Sequence, residues 1–181
     1  MKTLSLYQQV MGAQFTELPS PLQRFHALEG THVLNGWVKV GAPASFVARV
    51  LARCLGAPLT AQQGPIQFEL KASADGEAWT RHFPGKTMKS RLTHVAGHIV
   101  ERLGFAKLWF ALEGDSKMLE IKLVQLRFLG VPCPRWLRPA IVAEETATPD
   151  HLHFRVEASL PLIGLVASYR GYLKLPEGEC P

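Results

Sequence analysis

An arginine between two aromatic residues is the first candidate for chemistry in this sequence of 181 residues. Trp79, Arg81 and Phe83 alternate along a predicted strand, so they lie on the same face of a sheet. If that face is buried, the guanidinium needs an anionic partner, because an isolated buried charge is costly. The functional interpretation is a clamp for a carboxylate or phosphate group of a ligand. The structural alternative is an arginine stacked on Trp79 or paired with Glu145.

A tyrosine pair and a glutamate pair add further candidates. On the predicted C-terminal strand, Tyr169 falls on the core face and Tyr172 on the opposite face. One of Glu144 and Glu145 must face inward if their segment is a strand, and a buried carboxyl with a raised pKa can act as a general base. The alternative is a glutamate paired across the sheet with Arg127. No catalytic residue is assigned, and the predicted ligand-binding residues are Trp79, Arg81, Arg127, Glu145, Tyr169 and Tyr172.

The histidines and cysteines give no comparable pattern. His94 and His98 are predicted to lie on one strand, which separates them by about 13 Å. His151 and His153 flank a turn without an evident third ligand, whereas a metal site needs three or four. Cys133 has no histidine placed beside it, so a packed thiol is favoured over a reactive one. No Gly-x-Gly-x-x-Gly motif for a dinucleotide occurs. We predict no metal and no cofactor.

The main candidates all lie in one long predicted sheet, from Gly64 to Leu175. Apolar and polar residues alternate there with the period of strands that have one buried face. The segment from His94 to Arg102 is less regular, and we predict a bulge at Gly97. The spacing of the turns predicts an antiparallel meander. The turn signals are Asp75-Gly76, Pro84-Gly85, Leu103-Gly104, Glu113-Gly114-Asp115 and Thr148-Pro149-Asp150.

Helical patterns fill most of the region before this sheet. Ser5 is the predicted cap of a first helix, and Pro21 begins a short second one. A strand follows near residues 31–40, and then the clearest helix, residues 45–55, which ends at the C-cap glycine Gly56. We expect this last helix to fill or plug the concave side of the sheet. Its apolar stripe is predicted to be Phe46, Val50, Leu51 and Leu55.

A proline-rich segment interrupts the sheet late in the chain. Three prolines in the eight residues from Pro132 to Pro139 exclude a central strand. We expect a loop that Trp136 and Leu137 anchor to the body of the protein.

Composition places the chain among soluble globular proteins. It is 47% hydrophobic and 19% charged, and it contains no apolar run of about 18 residues that could span a membrane. The net charge is +5, but lysine and arginine are dispersed, which disfavours nucleic-acid binding. The first residues lack the apolar run of a signal peptide. Cys54, Cys133 and Cys180 are widely spaced, as is typical of reduced thiols, so we expect a cytoplasmic protein.

These patterns predict one α+β domain over residues 1–175. Its helical part covers 1–63, its antiparallel sheet covers 64–175, and a flexible tail follows at 176–181. A sheet of about eight or nine strands twists and tends to curl. We therefore expect a half-barrel or a barrel, whose concave side is either packed or a cavity.

Several short motifs occur in a specific order along nearly the whole chain. They are Ser5-Leu6-Tyr7, Leu22-Gln23-Arg24-Phe25-His26, Trp79-Thr80-Arg81-His82-Phe83, Ser90-Arg91-Leu92, Pro134-Arg135-Trp136-Leu137, Leu160-Pro161-Leu162-Ile163-Gly164-Leu165 and Tyr169-Arg170-Gly171. In this order they resemble the bacterial family catalogued as domain of unknown function 4166. The resemblance implies a bacterial protein whose relatives stand alone or are joined to nicotinamide-dependent oxidoreductase-like domains. It implies no particular activity.

Three functional hypotheses follow. The first is a non-catalytic domain that binds an apolar or amphipathic small molecule in the concavity of the sheet. The second is a small enzyme with an acid/base pair drawn from Arg81, Glu145 and Tyr169. The third, suggested by the family resemblance, is a docking module for a nicotinamide-dependent oxidoreductase. It predicts an exposed apolar patch around Trp136 and the Pro132–Pro139 loop.

Overall fold

The sheet closes into a barrel. The computed structural model describes residues 4–176, in which ten antiparallel strands form a ring and one two-residue strand, β8, pairs beside β7. Each long strand pairs with its neighbours in the sequence, and the first and last strands pair to close the ring. The predicted α+β class with a barrel-like meander is confirmed. The strands are β1 (Gly30–Gly41), β2 (Gln62–Ser73), β3 (Gly76–Phe83), β4 (Lys86–Val95), β5 (His98–Leu103), β6 (Ala106–Gly114), β7 (Met118–Phe128), β8 (Val131–Pro132), β9 (Ala140–Thr148), β10 (His151–Leu160) and β11 (Gly164–Lys174).

Some sequence predictions fall outside the described residues. The tail predicted at 176–181, apart from Pro176, lies beyond them, and so does Cys180. The first three residues of the N-terminus also lie outside. Within residues 4–176, no helix is both long and apolar enough to cross a membrane.

Closure of the ring depends on a close approach between β1 and β11. A Cβ on Gly171 would lie 2.0 Å from the carbonyl oxygen of Trp37, and a Cβ on Gly36 would lie 1.8 Å from that of Tyr172. No side chain fits at such distances, so glycine at both positions lets the two strands meet in their observed register.

Two short helices cover one end of the barrel, which we call the closed end. Helix α1 (Leu6–Met11) has Ser5 as its N-cap, and Ser5 forms a capping box with Gln8. The Gln8 backbone N–H donates to the Ser5 hydroxyl at 3.3 Å. Helix α2 (Ser20–His26) has Pro21 in its first turn. Both helix starts were predicted. The apolar side chains of this segment pack into the end of the barrel: Leu6, Met11, Phe15, Leu22 and Phe25.

The opposite end of the barrel, which we call the mouth, consists of the connections 42–61, 84–85, 104–105, 129–139 and 161–163. Its largest element is helix α3 (Phe46–Cys54), whose N-cap is Ser45 and whose C-cap is Leu55. Gly56 follows with a φ of 71°, so the predicted glycine stands where the helix stops. The predicted packing face was partly wrong. Ala48 and Ala52 are fully buried, whereas Phe46 is 81% exposed. The helix lies across the rim of the barrel. Its alanines contact the barrel, and Phe46 and Val50, the first two residues of the predicted stripe, point outward.

Two local predictions were wrong. Residues 94–102 do not form one bulged strand. Ala96 and Gly97, with φ of 50° and 77°, make a hairpin turn between β4 and β5. Trp136 does not anchor the proline-rich loop, because its side chain is 74% exposed; Leu137 beside it does line the barrel interior.

Candidate functional site

The barrel holds a partly open cavity of about 380 Å³. Near the mouth its walls are formed by apolar side chains of α3, of the neighbouring strand ends and of the proline-rich loop, such as Val47, Leu51, Leu55, Leu137 and Pro139. Toward the closed end it is bordered by polar side chains, namely Tyr7, Arg81, Glu101, Glu145 and Tyr169. The cavity is therefore amphipathic, with long apolar walls and one polar end.

Arg81 lies at the centre of the polar end. Its Nη1 donates to the Ser90 hydroxyl at 3.1 Å, and its Nη2 lies 3.6 Å from a carboxylate oxygen of Glu101. Its guanidinium carbon also sits 4.8 Å from the ring centre of Trp79. The structural alternative is thus right about the stacking on Trp79 and wrong about the partner, which is Glu101 rather than Glu145. The clamp for a ligand stays a prediction.

Glu145 pairs with a histidine from the helices at the closed end. The Nε2 of His26 and a carboxylate oxygen of Glu145 are 2.7 Å apart, and both side chains are at least nine-tenths buried. The His26 ring stacks on Tyr7 with 3.7 Å between ring centres, and its Nδ1 has no hydrogen-bond partner within residues 4–176. Glu144 faces outward beside Arg155. One glutamate of the pair therefore faces inward, as expected from the alternation of a strand. Arg127 is not the partner of Glu145.

Glu77 is a second buried carboxyl at the closed end. It accepts a hydrogen bond from the indole N–H of Trp79 at 2.7 Å. Burial raises the pKa of Glu77, while nearby His26 and the Trp79 hydrogen bond oppose that rise. The carboxyl thus keeps its proton to a higher pH than an exposed glutamate does.

Two tyrosine hydroxyls face the same region. Burial raises the pKa of Tyr169, and burial together with the charge of Glu145 raises the pKa of Tyr7 well above its ordinary value. Both phenols are therefore neutral at physiological pH, and a neutral phenol hydroxyl can donate to or accept from a molecule in the cavity.

The structure brings together four of the six residues named from the sequence. Trp79, Arg81, Glu145 and Tyr169 all border the cavity. The other two lie on the outer wall of the barrel. Arg127 is exposed and sits over the ring of Trp109, and Tyr172 packs against histidines of β10.

Five polar residues of this cluster were not named from the sequence as site residues: Tyr7, His26, Glu77, Ser90 and Glu101. Alternation does place Glu77 and Ser90 on the inner faces of β3 and β4, so both could have been predicted as interior residues from the sequence. Tyr7 and His26 belong to helices, and nothing local in the sequence indicates which strands those helices cover. No group of three or more His, Cys, Asp or Glu side chains that could hold a metal ion occurs in the described part of the chain.

The fold and the cavity define an antiparallel β-barrel protein with a ligand-sized, mainly apolar interior. The model of the family described as "Domain of unknown function (DUF4166)" matches residues 18–173, and the chain belongs to this family. No curated protein matches the sequence. Among solved structures the chain is similar to Rv2717c from M. tuberculosis, with 11% identity, a TM-score of 0.46, and coverage of 88% of this chain and 99% of that one.

Proposed function

We propose that the barrel binds a small, mainly apolar molecule whose single polar group lies against the cluster at the closed end. The observation that carries the proposal is the cavity of about 380 Å³ with apolar walls and one polar end. Ligand sites in proteins commonly have this composition and occupy about 300–1,000 Å³. Since a cavity of about 150 Å³ accommodates benzene, this one suits a ligand of about 15 non-hydrogen atoms.

The charges at the polar end favour a neutral head group over an acidic one. Arg81 is already engaged by Glu101 and Ser90, so a carboxylate ligand would compete with a carboxylate of the protein. Glu145 adds a further acidic side chain beside the cavity. The neutral hydroxyls of Tyr7 and Tyr169 can donate to a carbonyl or accept from an alcohol. We therefore propose an alcohol, ketone or quinone as the ligand class.

Displacement of a neutral fluorescent probe tests this proposal. Protein purified without detergent would be titrated with N-phenyl-1-naphthylamine, and dodecan-1-ol and dodecanoic acid would compete for the probe. We expect the alcohol to displace the probe at lower concentration than the acid does. Stronger displacement by the acid would overturn the neutral head group, and absence of probe binding would overturn the cavity as a ligand site. Native mass spectrometry of the same preparation would identify any molecule that co-purifies.

Two alanines provide a matched pair of variants for that titration. Ala143 lines the cavity, whereas Ala78 is exposed on the outer face of β3. Ala143→Trp fills the space and should weaken probe binding about tenfold or more, while Ala78→Trp should leave it unchanged. Tyr169→Phe removes one hydroxyl and should weaken dodecan-1-ol binding about three- to tenfold with little effect on the probe.

The two other hypotheses stay predictions. In the described residues Arg81 bonds to Ser90 and pairs with Glu101, and Glu145 bonds to His26. The acid/base pair of a small enzyme would therefore need a reorganisation or a bridging water. A docking module for an oxidoreductase is compatible with the exposure of Trp136. We keep the cytoplasmic location as a proposal, supported by the free thiols of Cys54 and Cys133.

A further inference from the structure

We propose that the mouth of the barrel docks onto a lipid bilayer that carries anionic headgroups. This inference goes beyond ligand binding, and its test does not require the cavity to be occupied. It rests on three features of the mouth: exposed apolar side chains, left-handed backbone at two of them, and a charge opposite to that of the bilayer.

Large apolar side chains project from the connections that form the mouth. We call them the collar, and they are Phe46, Phe105, Leu129, Val131, Trp136 and Leu162. Each is between 60% and 104% exposed. Single exposed apolar residues are ordinary on protein surfaces, but a grouping at one end of a molecule indicates an interaction site.

Hydrogen bonds join the connections that carry the collar. The Ser45 hydroxyl donates to the carbonyl of Ile163 at 2.9 Å, which links the start of α3 to the loop of Leu162. The Phe105 N–H donates to the carbonyl of Cys54 at 3.3 Å, and the Leu129 N–H donates to the carbonyl of Phe105 at 3.0 Å. The collar is thus carried by a connected rim beside the cavity.

Two collar residues adopt backbone conformations that leucine rarely takes. Leu129 and Leu162 have φ of 51° and 64°, in the left-handed region that favours glycine and asparagine. Each of these leucines combines an unfavourable backbone conformation with an exposed apolar side chain. Folding alone would favour asparagine or glycine at both positions, so an interaction made by the leucine side chains accounts for their presence.

The charge of the mouth fits an anionic surface. Its five connections contain four arginines, Arg49, Arg53, Arg135 and Arg138, and no aspartate or glutamate. None of the four is within ion-pair distance of a carboxylate in residues 4–176. The closed end has the opposite balance of charge. Residues 4–29 and the turns 74–75, 96–97, 115–117 and 149–150 together contain five Asp or Glu side chains but two Lys or Arg side chains. Apolar side chains, a tryptophan and arginines on one surface are the features by which peripheral proteins bind the headgroup region of an anionic bilayer.

Vesicle sedimentation with paired asparagine substitutions tests the proposal. The full chain would be mixed with vesicles of phosphatidylglycerol and phosphatidylcholine, or of phosphatidylcholine alone. We expect binding to the anionic vesicles that weakens as salt is raised, because the arginine contribution is screened. The double variant Leu129→Asn with Leu162→Asn should lose about tenfold or more of this binding, since two apolar side chains no longer enter the bilayer.

The same variant separates membrane binding from folding. Asparagine tolerates left-handed backbone, so thermal unfolding should occur at the same or a higher temperature than in the wild type. Ala96→Asn is the matched control, because Ala96 has a φ of 50° in an exposed turn at the closed end. It should leave vesicle binding unchanged. Arg49→Gln with Arg53→Gln should weaken binding about fivefold per charge and flatten its salt dependence.

Three results would overturn the proposal. One is absence of binding of the wild type to the anionic vesicles. Another is equal binding to both kinds of vesicle. The third is unchanged binding by the double asparagine variant. If vesicles do not bind but sedimentation shows self-association that the asparagine pair abolishes, the collar is a contact between copies of the chain instead.

Discussion

At the closed end of the barrel charged side chains are buried, whereas at the mouth large apolar side chains are exposed. Arg81 and Glu145 lie in the interior, paired with Glu101 and His26 respectively, while Phe46 and Trp136 lie in solvent. Each arrangement is unfavourable for folding unless something compensates it. At the closed end the compensation is inside the molecule, in hydrogen bonds and ion pairs. At the mouth the described residues provide none, which is why a bilayer is proposed to cover the exposed apolar side chains there.

The two ends of the barrel should differ in what their residues contribute, which is stability of the fold at the closed end and binding at the mouth. Residues at the closed end hold two short helices against the strands, so their loss should destabilise the fold. Residues of the collar make few internal contacts, so their loss should change binding and leave folding nearly unaffected. Substitutions of one residue type at the two ends put this contrast to a direct test.

The largest contrast is expected between two tryptophans. Trp79 is buried, donates to Glu77 and stacks on Arg81, so Trp79→Ala should destabilise the protein by about 4 kcal/mol. Trp136→Ala should change the free energy of unfolding by less than about 0.5 kcal/mol, because its side chain is 74% exposed. Urea unfolding of both variants measures the difference. Similar losses would show that the collar contributes to the folded core.

A smaller effect is expected from two histidine–glutamate pairs of similar geometry. His26 and Glu145 are 2.7 Å apart and buried, whereas His82 and Glu69, on the outer wall near the mouth, are 2.9 Å apart and about one-third exposed. His26→Leu leaves a buried carboxylate without its partner and should cost about 3 kcal/mol. His82→Leu should cost less than about 1 kcal/mol.

A double variant checks the reason for that loss. Adding Glu145→Leu to His26→Leu removes the unpaired carboxylate, so it should recover much of the lost stability. If the double variant is no more stable than His26→Leu, the histidine ring contributes through its stacking on Tyr7 rather than through Glu145.

The smallest effect concerns pH and is expected at the closed end alone. Burial raises the pKa of Glu77 in the folded state, so the folded protein holds this proton more tightly than the unfolded chain does. The resulting stabilisation is present below the unfolded pKa and is lost as pH rises through the folded pKa. As the pH is raised from about 4 to 7, Glu77→Gln should therefore become more stable relative to the wild type, because the wild type must ionise a buried carboxyl.

Urea midpoints of the wild type and Glu77→Gln across that pH range measure this effect. The amide introduced by this substitution can still accept from the Trp79 indole, so the comparison isolates the charge. A constant difference across the range would contradict the raised pKa. The mouth has no carboxyl group in its five connections, so it provides no comparable titration.

Much of the fold was predictable because local patterns carry it. Alternation identified inward-facing Trp79 and Arg81, and the turn signals separated most of the strands. The Ser5 cap of α1 and the glycine that follows α3 were readable because helix caps depend on residues close in the chain. The hairpin at Ala96-Gly97 was missed because alanine is not a turn signal, and its left-handed φ is imposed by the pairing of β4 with β5.

The partners within the site could not be predicted in the same way. Alternation shows that Glu145 faces inward, but the distance from Glu145 to His26 depends on where α2 packs against a closed ring. Arg127 was included with the site because it is chemically suitable, and the closed barrel shows that it lies on the outer wall. For Tyr172 the alternation along the strand already indicated an outward face, and the structure agrees.

The sequence by itself determined the strand periods and the helix caps, because these depend on residue type and on neighbours close in the chain. Tertiary structure decided the closure of the ring, the pairing of Arg81 with Glu101 and of His26 with Glu145, and the exposure of Phe46 and Trp136. These features depend on contacts between residues far apart in the chain, such as the register of β1 against β11, and no local pattern records which distant segments will meet.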